Sequence, residues 1–137
     1  MKTALIVRKD FEVNKIIAQA LAELGFENVE TVHSFTEAAI RIREGVDAVV
    51  AGSRLNTAGE TGVAQFPKSG IFVARTAKDA GVPHVVLATA SIADLHRNEL
   101  NLLKGIPVID ISATSRNDIK ILLAEAFNLP SQTPPQK

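Results

Sequence analysis

Short runs of apolar residues alternate with stretches of helical periodicity along the chain. Five such runs predict strands at 3–7, 29–32, 48–51, 85–88 and 107–111. The third run, Ala-Val-Val-Ala, has no polar member, which is typical of a central parallel strand covered on both faces. The pattern therefore predicts a five-stranded sheet with this strand in its middle.

Between the strands, apolar residues recur three and four positions apart, the spacing of a helix with one buried face. In the first helix these residues are Val13, Ile16, Ile17, Ala20, Leu21 and Leu24. Ser34 and Glu37 have the spacing of a capping box that opens a second helix, which Gly45 ends. A third helix is predicted over 71–80.

Two more helices complete the alternation. The segment 91–94 offers a cap for a fourth helix that runs to Lys104. Its inward candidates are Ile92, Leu95, Leu102 and Leu103. A cap within 115–118 opens the fifth helix. Its apolar face carries Ile119, Leu122, Leu123, Ala126 and Phe127.

Five strands that alternate with five helices imply a parallel sheet with right-handed crossovers and helices on both faces. The strand order 2-1-3-4-5 is common for this count. We therefore predict a single α/β domain over residues 1–129, a flavodoxin-like three-layer sandwich. In this order the first and third strands flank the switch point, so the ligand-binding crevice is expected at Arg8, Lys9, Gly52 and Ser53.

Two segments fall outside the alternation. The stretch 52–70 is predicted to be a long loop, and loops of this length are uncommon unless they are functional or mobile. Its glycines, Gly70 among them, could hinge a lid that brings Lys68 to an anion. A mobile or partner-binding segment with Val63 and Phe66 is the favoured interpretation. The Pro-rich tail 130–137 is predicted to be disordered.

Composition narrows the classes of function. The 137 residues include 15 basic and 15 acidic side chains, so the formal net charge is +0, which removes the global attraction typical of nucleic-acid binders. Cysteine is absent, so disulfides and thiolate chemistry are excluded. No stretch approaches the ~20 apolar residues that span a bilayer. We expect a soluble, cytoplasmic protein without nucleic-acid or membrane partners.

Catalytic and cofactor motifs are also missing from the sequence. His33, His84 and His96 have no metal-ligand spacing. No nucleophile elbow and no glycine-rich dinucleotide fingerprint is present. We therefore expect no bound metal, no cofactor and no enzymatic activity.

The chain resembles the response-regulator receiver (CheY-like) domains of two-component signalling over almost its whole length, up to about residue 129. The matching segments are 4–7, 24–26, 47–50 and 82–87. The resemblance implies a phosphorylation site in which an acidic pair after the first strand holds Mg²⁺ and an Asp after the third strand accepts the phosphoryl group. It also implies a Thr or Ser after the fourth strand and a Lys after the fifth.

This sequence departs from the receiver pattern at every one of those sites. The corresponding positions hold Arg8 and Lys9, Gly52, Ala88 and Asp110. A shift of one residue would place Thr89 at the fourth strand's position. Two cations would repel Mg²⁺, and no aspartyl phosphate can form without its Asp. The resemblance therefore implies a pseudo-receiver, which keeps the fold without the chemistry.

The first functional hypothesis is a regulatory module of signal transduction that acts by protein–protein interaction and is not phosphorylated on Asp. The expected contact surface combines the fourth and fifth helices with the fifth strand. Receivers commonly dimerise there, so the resemblance allows a homodimer, and the partner's identity stays open. Exposed apolar residues are expected among Leu95, Leu100, Ile119 and Leu123.

The Arg8-Lys9 pair leaves two interpretations open. The first is two solvated cations that replace a lost metal site. The second is a small-anion or nucleotide sensor, or a phosphoryl-handling enzyme. Its anion-binding residues would be Arg8, Lys9, Ser53, Thr89 and Ser91. An ion pair between Asp110 and either cation is a further hypothesis, because partly buried charges are usually paired.

Overall fold

The computed structural model describes residues 2–55, 59–66, 68–90, 92–111 and 116–128. Its strands are β1 Thr3–Val7, β2 Asn28–Val32, β3 Ala48–Ala51, β4 His84–Thr89 and β5 Val108–Asp110. Its α-helices are α1 Phe11–Glu23, α2 Phe35–Glu44, α3 Gly70–Asp79, α4 Arg97–Leu102 and α5 Arg116–Ala126. Short 3₁₀ turns lie at Gly62–Gln65 and Ile92–Asp94.

All five strands are parallel and stand in the order β2-β1-β3-β4-β5. This confirms the predicted flavodoxin-like sandwich, including β3 in the middle of the sheet. The register places Ala51 of β3 between Val7 of β1 and Leu87 of β4. The carboxyl ends of these three strands therefore meet at one edge of the sheet.

The core has two layers because successive side chains of a strand point to opposite faces. Leu5 and Val7 of β1 join the layer that packs against α2, α3 and α4. Ala4 and Ile6 of the same strand join the layer under α1 and α5. The four residues of β3 are fully buried, with 0% exposure, so the uninterrupted apolar run reflects cover on both faces.

Polar side chains cap the beginnings of α1 and α2. The Asp10 carboxylate accepts the Val13 backbone N–H at 3.1 Å and begins α1. The Ser34 hydroxyl accepts the Glu37 N–H at 3.3 Å and begins α2, as predicted. Gly45 follows α2 with φ +106°, a left-handed conformation that favours glycine.

The predicted fourth helix is wrong in its extent. A 3₁₀ turn at Ile92–Asp94 precedes the short helix α4, which begins after His96. The Glu99 carboxylate accepts the His96 backbone N–H at 2.8 Å, and this bond starts a new helix in place of a continuous one. Ile92 is 40% exposed, so the prediction that it points inward is also wrong.

The predicted apolar contact residues are largely part of the core. Leu95, Ile119 and Leu123 are buried, and only Leu100, at 49% exposure, lies on the surface as expected. A helical stripe shows which residues share a face but not whether that face points to the sheet or to solvent. These three residues lie on faces that pack against the sheet. Ile121 of α5 is 41% exposed, and the sequence analysis did not predict it as an exposed apolar residue.

The segment 52–70 is tied to the body of the protein at several described points. Leu55 is 2% exposed and belongs to the core. The Glu60 carboxylate accepts two hydrogen bonds from Thr36, one from the backbone N–H at 3.0 Å and one from the side-chain hydroxyl at 2.5 Å. Phe66 is 49% exposed, whereas the Val63 side chain lies outside the described part. Ser91 and the tail 130–137 also lie outside it.

In the part of the chain that the structure describes, no helix combines the length and apolar character that a membrane crossing requires.

Candidate functional site

A cleft of about 160 Å³ opens at the carboxyl ends of β1, β3 and β4. Five of the sequence-predicted residues line it, namely Arg8, Lys9, Gly52, Ser53 and Thr89. Arg54 and Lys68 add two more cations, and Asp10 and Asp94 are the carboxylates among its described lining residues. The crevice is therefore where the strand order predicts it.

Arg8 is buried, at 7% exposure. Its Nε donates to the Ala88 carbonyl at 3.3 Å and its Nη1 donates to Asn14 Oδ1 at 3.2 Å. Asn14 in turn donates Nδ2 to the Arg8 carbonyl at 3.1 Å. The interpretation of two solvated cations is thus wrong for Arg8, although Lys9 is exposed.

Burial lowers the pKa of Arg8 from its ordinary value, and the nearby Asp10 carboxylate partly offsets this effect. An arginine nevertheless stays protonated in a protein. A buried positive charge therefore lies at the centre of the cleft wall, held by one amide oxygen and one main-chain carbonyl. Asn14 was not predicted, although a polar residue beside the apolar face of α1 was a usable signal.

The side chain of Arg8 lies directly over Gly52. A Cβ atom built on Gly52 would come within 2.9 Å of both Cγ and Nε of Arg8. Real Cβ atoms essentially never come this close, so a side chain at this position requires Arg8 to move. The arginine therefore fills the space into which a side chain at position 52 would extend.

Gly70 begins α3 against the backbone of Gly52. A Cβ on Gly70 would lie 1.6 Å from the Gly52 carbonyl oxygen, and the Gly70 N–H donates to the Ser53 carbonyl at 3.2 Å. Glycine is therefore required at position 70 by a close contact between two backbones, a reason that the hinge interpretation did not include. The sequence marks a glycine here but does not reveal which segment it contacts.

Thr89 lines the cleft, and its neighbour Ala88 does not. The Thr89 and Ser53 hydroxyl oxygens are 3.3 Å apart, so they bridge the ends of β4 and β3. Ala88 is buried in the layer under α1 and α5 and offers only its carbonyl, to Arg8. Of the two positions considered after the fourth strand, Thr89 is the one that lines the cleft.

Asp110 lies at the end of the edge strand β5, paired in register with Thr89. It is exposed, and no ion pair among the described residues joins it to Arg8 or Lys9. The predicted clamp is not formed, because β3 and β4 separate β5 from β1 and Arg8 turns to Asn14. Asp110 has an interaction of its own.

Lys68 connects the segment after β3 to α4. Its Nζ donates to the Asp94 carbonyl at 2.5 Å and lies 3.2 Å from the Glu99 carboxylate. Burial alone raises the pKa of Glu99, but bonds from the His96 N–H and from Lys68 outweigh it and hold the pKa below its ordinary value. Lys68 was considered in the sequence, whereas its partner Glu99 was not.

The cleft does not fit the Mg²⁺ that the fold of receivers implies. Across the described ranges, no group of three or more His, Cys, Asp or Glu side chains could hold a metal ion. Asp10, the carboxylate beside β1, is engaged as the cap of α1. A buried guanidinium close to it disfavours a divalent cation by charge repulsion.

No family model and no curated protein matches the sequence of this chain. Its structure is similar to a sensor protein from Polaromonas sp. JS666, with a TM-score of 0.65, 19% identity, and coverage of 93% of this chain and 96% of that one. It is similar to a response regulator receiver domain protein from Clostridium thermocellum, with a TM-score of 0.64, 19% identity, and coverage of 93% and 95%.

A third similar structure is the receiver domain of a sensor histidine kinase from Pseudomonas aeruginosa PAO1, which carries a magnesium ion in its active-site cleft. The TM-score is 0.64 at 19% identity, with coverage of 93% of this chain and 98% of that one. At such identities the likeness shows the fold. The chain has the flavodoxin-like fold of receiver domains, in agreement with the resemblance found in its sequence.

Proposed function

We infer that this protein is a receiver-like regulatory module of signal transduction that acts through protein contacts and is not phosphorylated on Asp. The observation that carries this proposal is the position of Arg8 over Gly52. The chemistry of a receiver needs a carboxylate nucleophile after the third strand and carboxylates that bind Mg²⁺ after the first. Here Gly52 has no side chain after the third strand, and Arg8 places a buried guanidinium after the first.

The absence of a nucleophile supports a non-enzymatic role. Aspartyl phosphate formation requires the attack of a carboxylate on phosphorus, and Gly52 has none to offer. The hydroxyls of Ser53 and Thr89 bond to each other. A fold used without its reaction retains its surfaces, and contact with other proteins is the means of regulation that we propose.

The surface formed by α4, β5 and α5 is the proposed contact region. Leu100 of α4 and Ile121 of α5 are 49% and 41% exposed, and Ile92 beside α4 is 40% exposed. β5 lies at the edge of the sheet, so one side of its backbone faces outward. Large exposed apolar side chains of this kind support an interaction site. A homodimer is the simplest assembly that this surface could form.

Treatment with acetyl phosphate and Mg²⁺ tests the absence of phosphorylation. A phosphorylatable receiver domain, treated in parallel, serves as the positive control. We expect mass spectrometry to detect no phosphoryl adduct on this chain. We also expect Mg²⁺ with beryllofluoride to leave the amide resonances around Gly52 unchanged. A hydroxylamine-sensitive phosphoryl adduct on any Asp would overturn the proposal.

One observation favours a second candidate, a sensor of small anions. Four cations and two carboxylates line the cleft among the described residues, which leaves an excess of positive charge. Arg8, Lys9, Ser53 and Thr89 are the predicted anion-binding residues that lie there, whereas Ser91 is outside the described part. Calorimetric titration with inorganic phosphate tests this candidate, and the absence of both heat and a shift in melting temperature would contradict it.

A further inference from the structure

A second and larger cavity adjoins the cleft. It has a volume of about 380 Å³ and lies between α3, α4 and the segment that follows β3. Phe66, Phe72 and Leu102 give it an apolar wall. The rings of Phe66 and Phe72 lie 6.5 Å apart between centroids, and Phe66 is 49% exposed. We call this cavity the phenylalanine groove.

Arg54 and Lys68 line both the cleft and the phenylalanine groove. The two cavities are therefore neighbours that share a cationic boundary. Lys68 is fixed at this boundary by the Asp94 carbonyl and the Glu99 carboxylate. The result is one continuous concave surface with a positive end and an apolar end.

The charges at the boundary are not balanced. Lys68 has an ion-pair partner in Glu99, but Arg54 and Lys9 form no ion pair with any other residue that the structure describes. Of the two carboxylates in the cleft, Asp10 is engaged by the backbone of α1. An anionic group in the cleft would therefore meet Lys9 and, at the boundary, Arg54, neither of which is paired with a described carboxylate, and the apolar wall lies on the other side of that boundary.

We propose that the cleft and the phenylalanine groove together form a binding site for a small organic anion that carries an apolar, preferably aromatic, body. The anionic group contacts Arg54 and Lys9, and the body packs against Phe66, Phe72 and Leu102. Small-molecule sites are cavities of about 300–1,000 Å³ with mostly apolar walls and a few placed polar groups. The shape and charge of this surface fit that description.

This site differs from the proposed contact surface and does not depend on it. The contact surface uses Leu100 and Ile121, which line neither cavity. A ligand in the groove would touch α3 and α4 at once, because Phe72 belongs to α3 and Leu102 to α4. Binding can therefore succeed or fail whatever the oligomeric state.

Titration calorimetry with three probes tests whether the two ends act together. The probes are 1-naphthyl phosphate, inorganic phosphate and 1-naphthol, so that each half of the first compound is measured alone. We expect 1-naphthyl phosphate to bind at least about tenfold more tightly than either half, because only it uses both ends of the site. Equal affinity for naphthyl phosphate and inorganic phosphate would overturn the proposal.

Two variants with matched controls locate the binding. Arg54→Gln and Phe66→Ala change exposed side chains and are each expected to weaken naphthyl phosphate about tenfold. Arg43→Gln on α2 and Phe11→Ala at the start of α1 alter exposed residues of the same types elsewhere, and we expect them to leave the affinity unchanged. Equal effects of variants and controls would contradict the assigned site.

An acidic peptide is the competing occupant of this surface. Acetyl-Glu-Phe-Glu-Leu-amide, titrated in the same way, carries the same two features on a peptide backbone. Binding of this peptide in the groove, without binding of naphthyl phosphate, would assign the surface to a protein partner and overturn the small-molecule proposal. Binding of naphthyl phosphate with amide shifts around Phe66 and Phe72 supports it.

Discussion

Single residues decide what the cleft can hold. Arg8 spans from β1 across Gly52 to the Ala88 carbonyl, so one side chain fills the space beside Gly52 and also links the ends of β1 and β4. A buried charge is stable only when its hydrogen bonds are made. Asn14 and Ala88 supply them. The site has thus become a structural element with a fixed cation.

Asn14→Ala is predicted to destabilise the fold through Arg8. It removes a hydrogen bond to a buried charged group, which is worth about 1.5–3 kcal/mol. In an Arg8→Met background the same change should lower the free energy of unfolding markedly less, because methionine has no donor that needs Asn14 as its acceptor. Urea denaturation of the four proteins in this double-mutant cycle measures the difference. Equal costs in both backgrounds would show that Asn14 does not act through Arg8.

Alanine substitutions at Gly52 and Gly70 are predicted to lower the free energy of unfolding by different amounts. At Gly70 the new methyl group would overlap the Gly52 carbonyl oxygen, a backbone atom. At Gly52 it would meet the side chain of Arg8, which can move. We expect Gly70→Ala to lower the free energy of unfolding by about 3 kcal/mol or more, and Gly52→Ala by clearly less. Equal midpoints in urea would contradict the close backbone contact.

At the scale of elements, Lys68 and Glu99 join the segment after β3 to α4. Glu99 accepts the His96 N–H that begins α4 and pairs with Lys68. This arrangement explains why the helix begins at this point and not at the earlier cap. It also holds Lys68 on the boundary between the cleft and the phenylalanine groove. A short helix with few core residues therefore depends on a polar contact for its position.

Glu99→Gln is predicted to lower stability in a pH-dependent way. The pKa of Glu99 is held below its ordinary value, so its charge contributes stability that is present above the unfolded pKa of about 4.3. That contribution is lost as the pH falls through the folded pKa. We expect a deficit of about 1 kcal/mol at pH 7 that shrinks below about pH 4. The exposed Glu27→Gln is the control, and a deficit independent of pH would contradict the assignment.

At the scale of the whole molecule, the surface formed by α4, β5 and α5 is available for contact. Of the four apolar residues that the sequence suggested for this surface, only Leu100 is exposed. Ile121, which the sequence did not suggest, is exposed as well. The difference matters for experiments, because substitution of a buried leucine would unfold the core. Surface residues allow contact and folding to be tested separately.

Leu100→Glu with Ile121→Glu is predicted to abolish self-association. Charged groups at the centre of an apolar interface are costly to desolvate. Ile40→Glu on α2 is the control, because Ile40 is as exposed as Leu100, at 49%. Sedimentation equilibrium should show a concentration-dependent dimer for the unaltered protein and for the control, but a monomer for the double variant. A monomer at all concentrations for the unaltered protein would refute the homodimer.

The sequence by itself determined the five strands, their order and the place of the crevice. Strand and helix periodicity are local properties, and the crossover rules then leave few topologies. The departures from the receiver pattern at Arg8, Lys9 and Gly52 were visible in the same way. These signals need only neighbouring residues and a regular fold.

Only the tertiary structure decided what the residues of the crevice do. Arg8 bonds to a carbonyl 80 positions away, and Gly70 touches Gly52 through the packing of α3 on the sheet. Such contacts depend on the direction of each side chain and on the distance between elements. Periodicity specifies neither, so the choice between Asp110 and Asn14 as the partner of Arg8 required the folded protein.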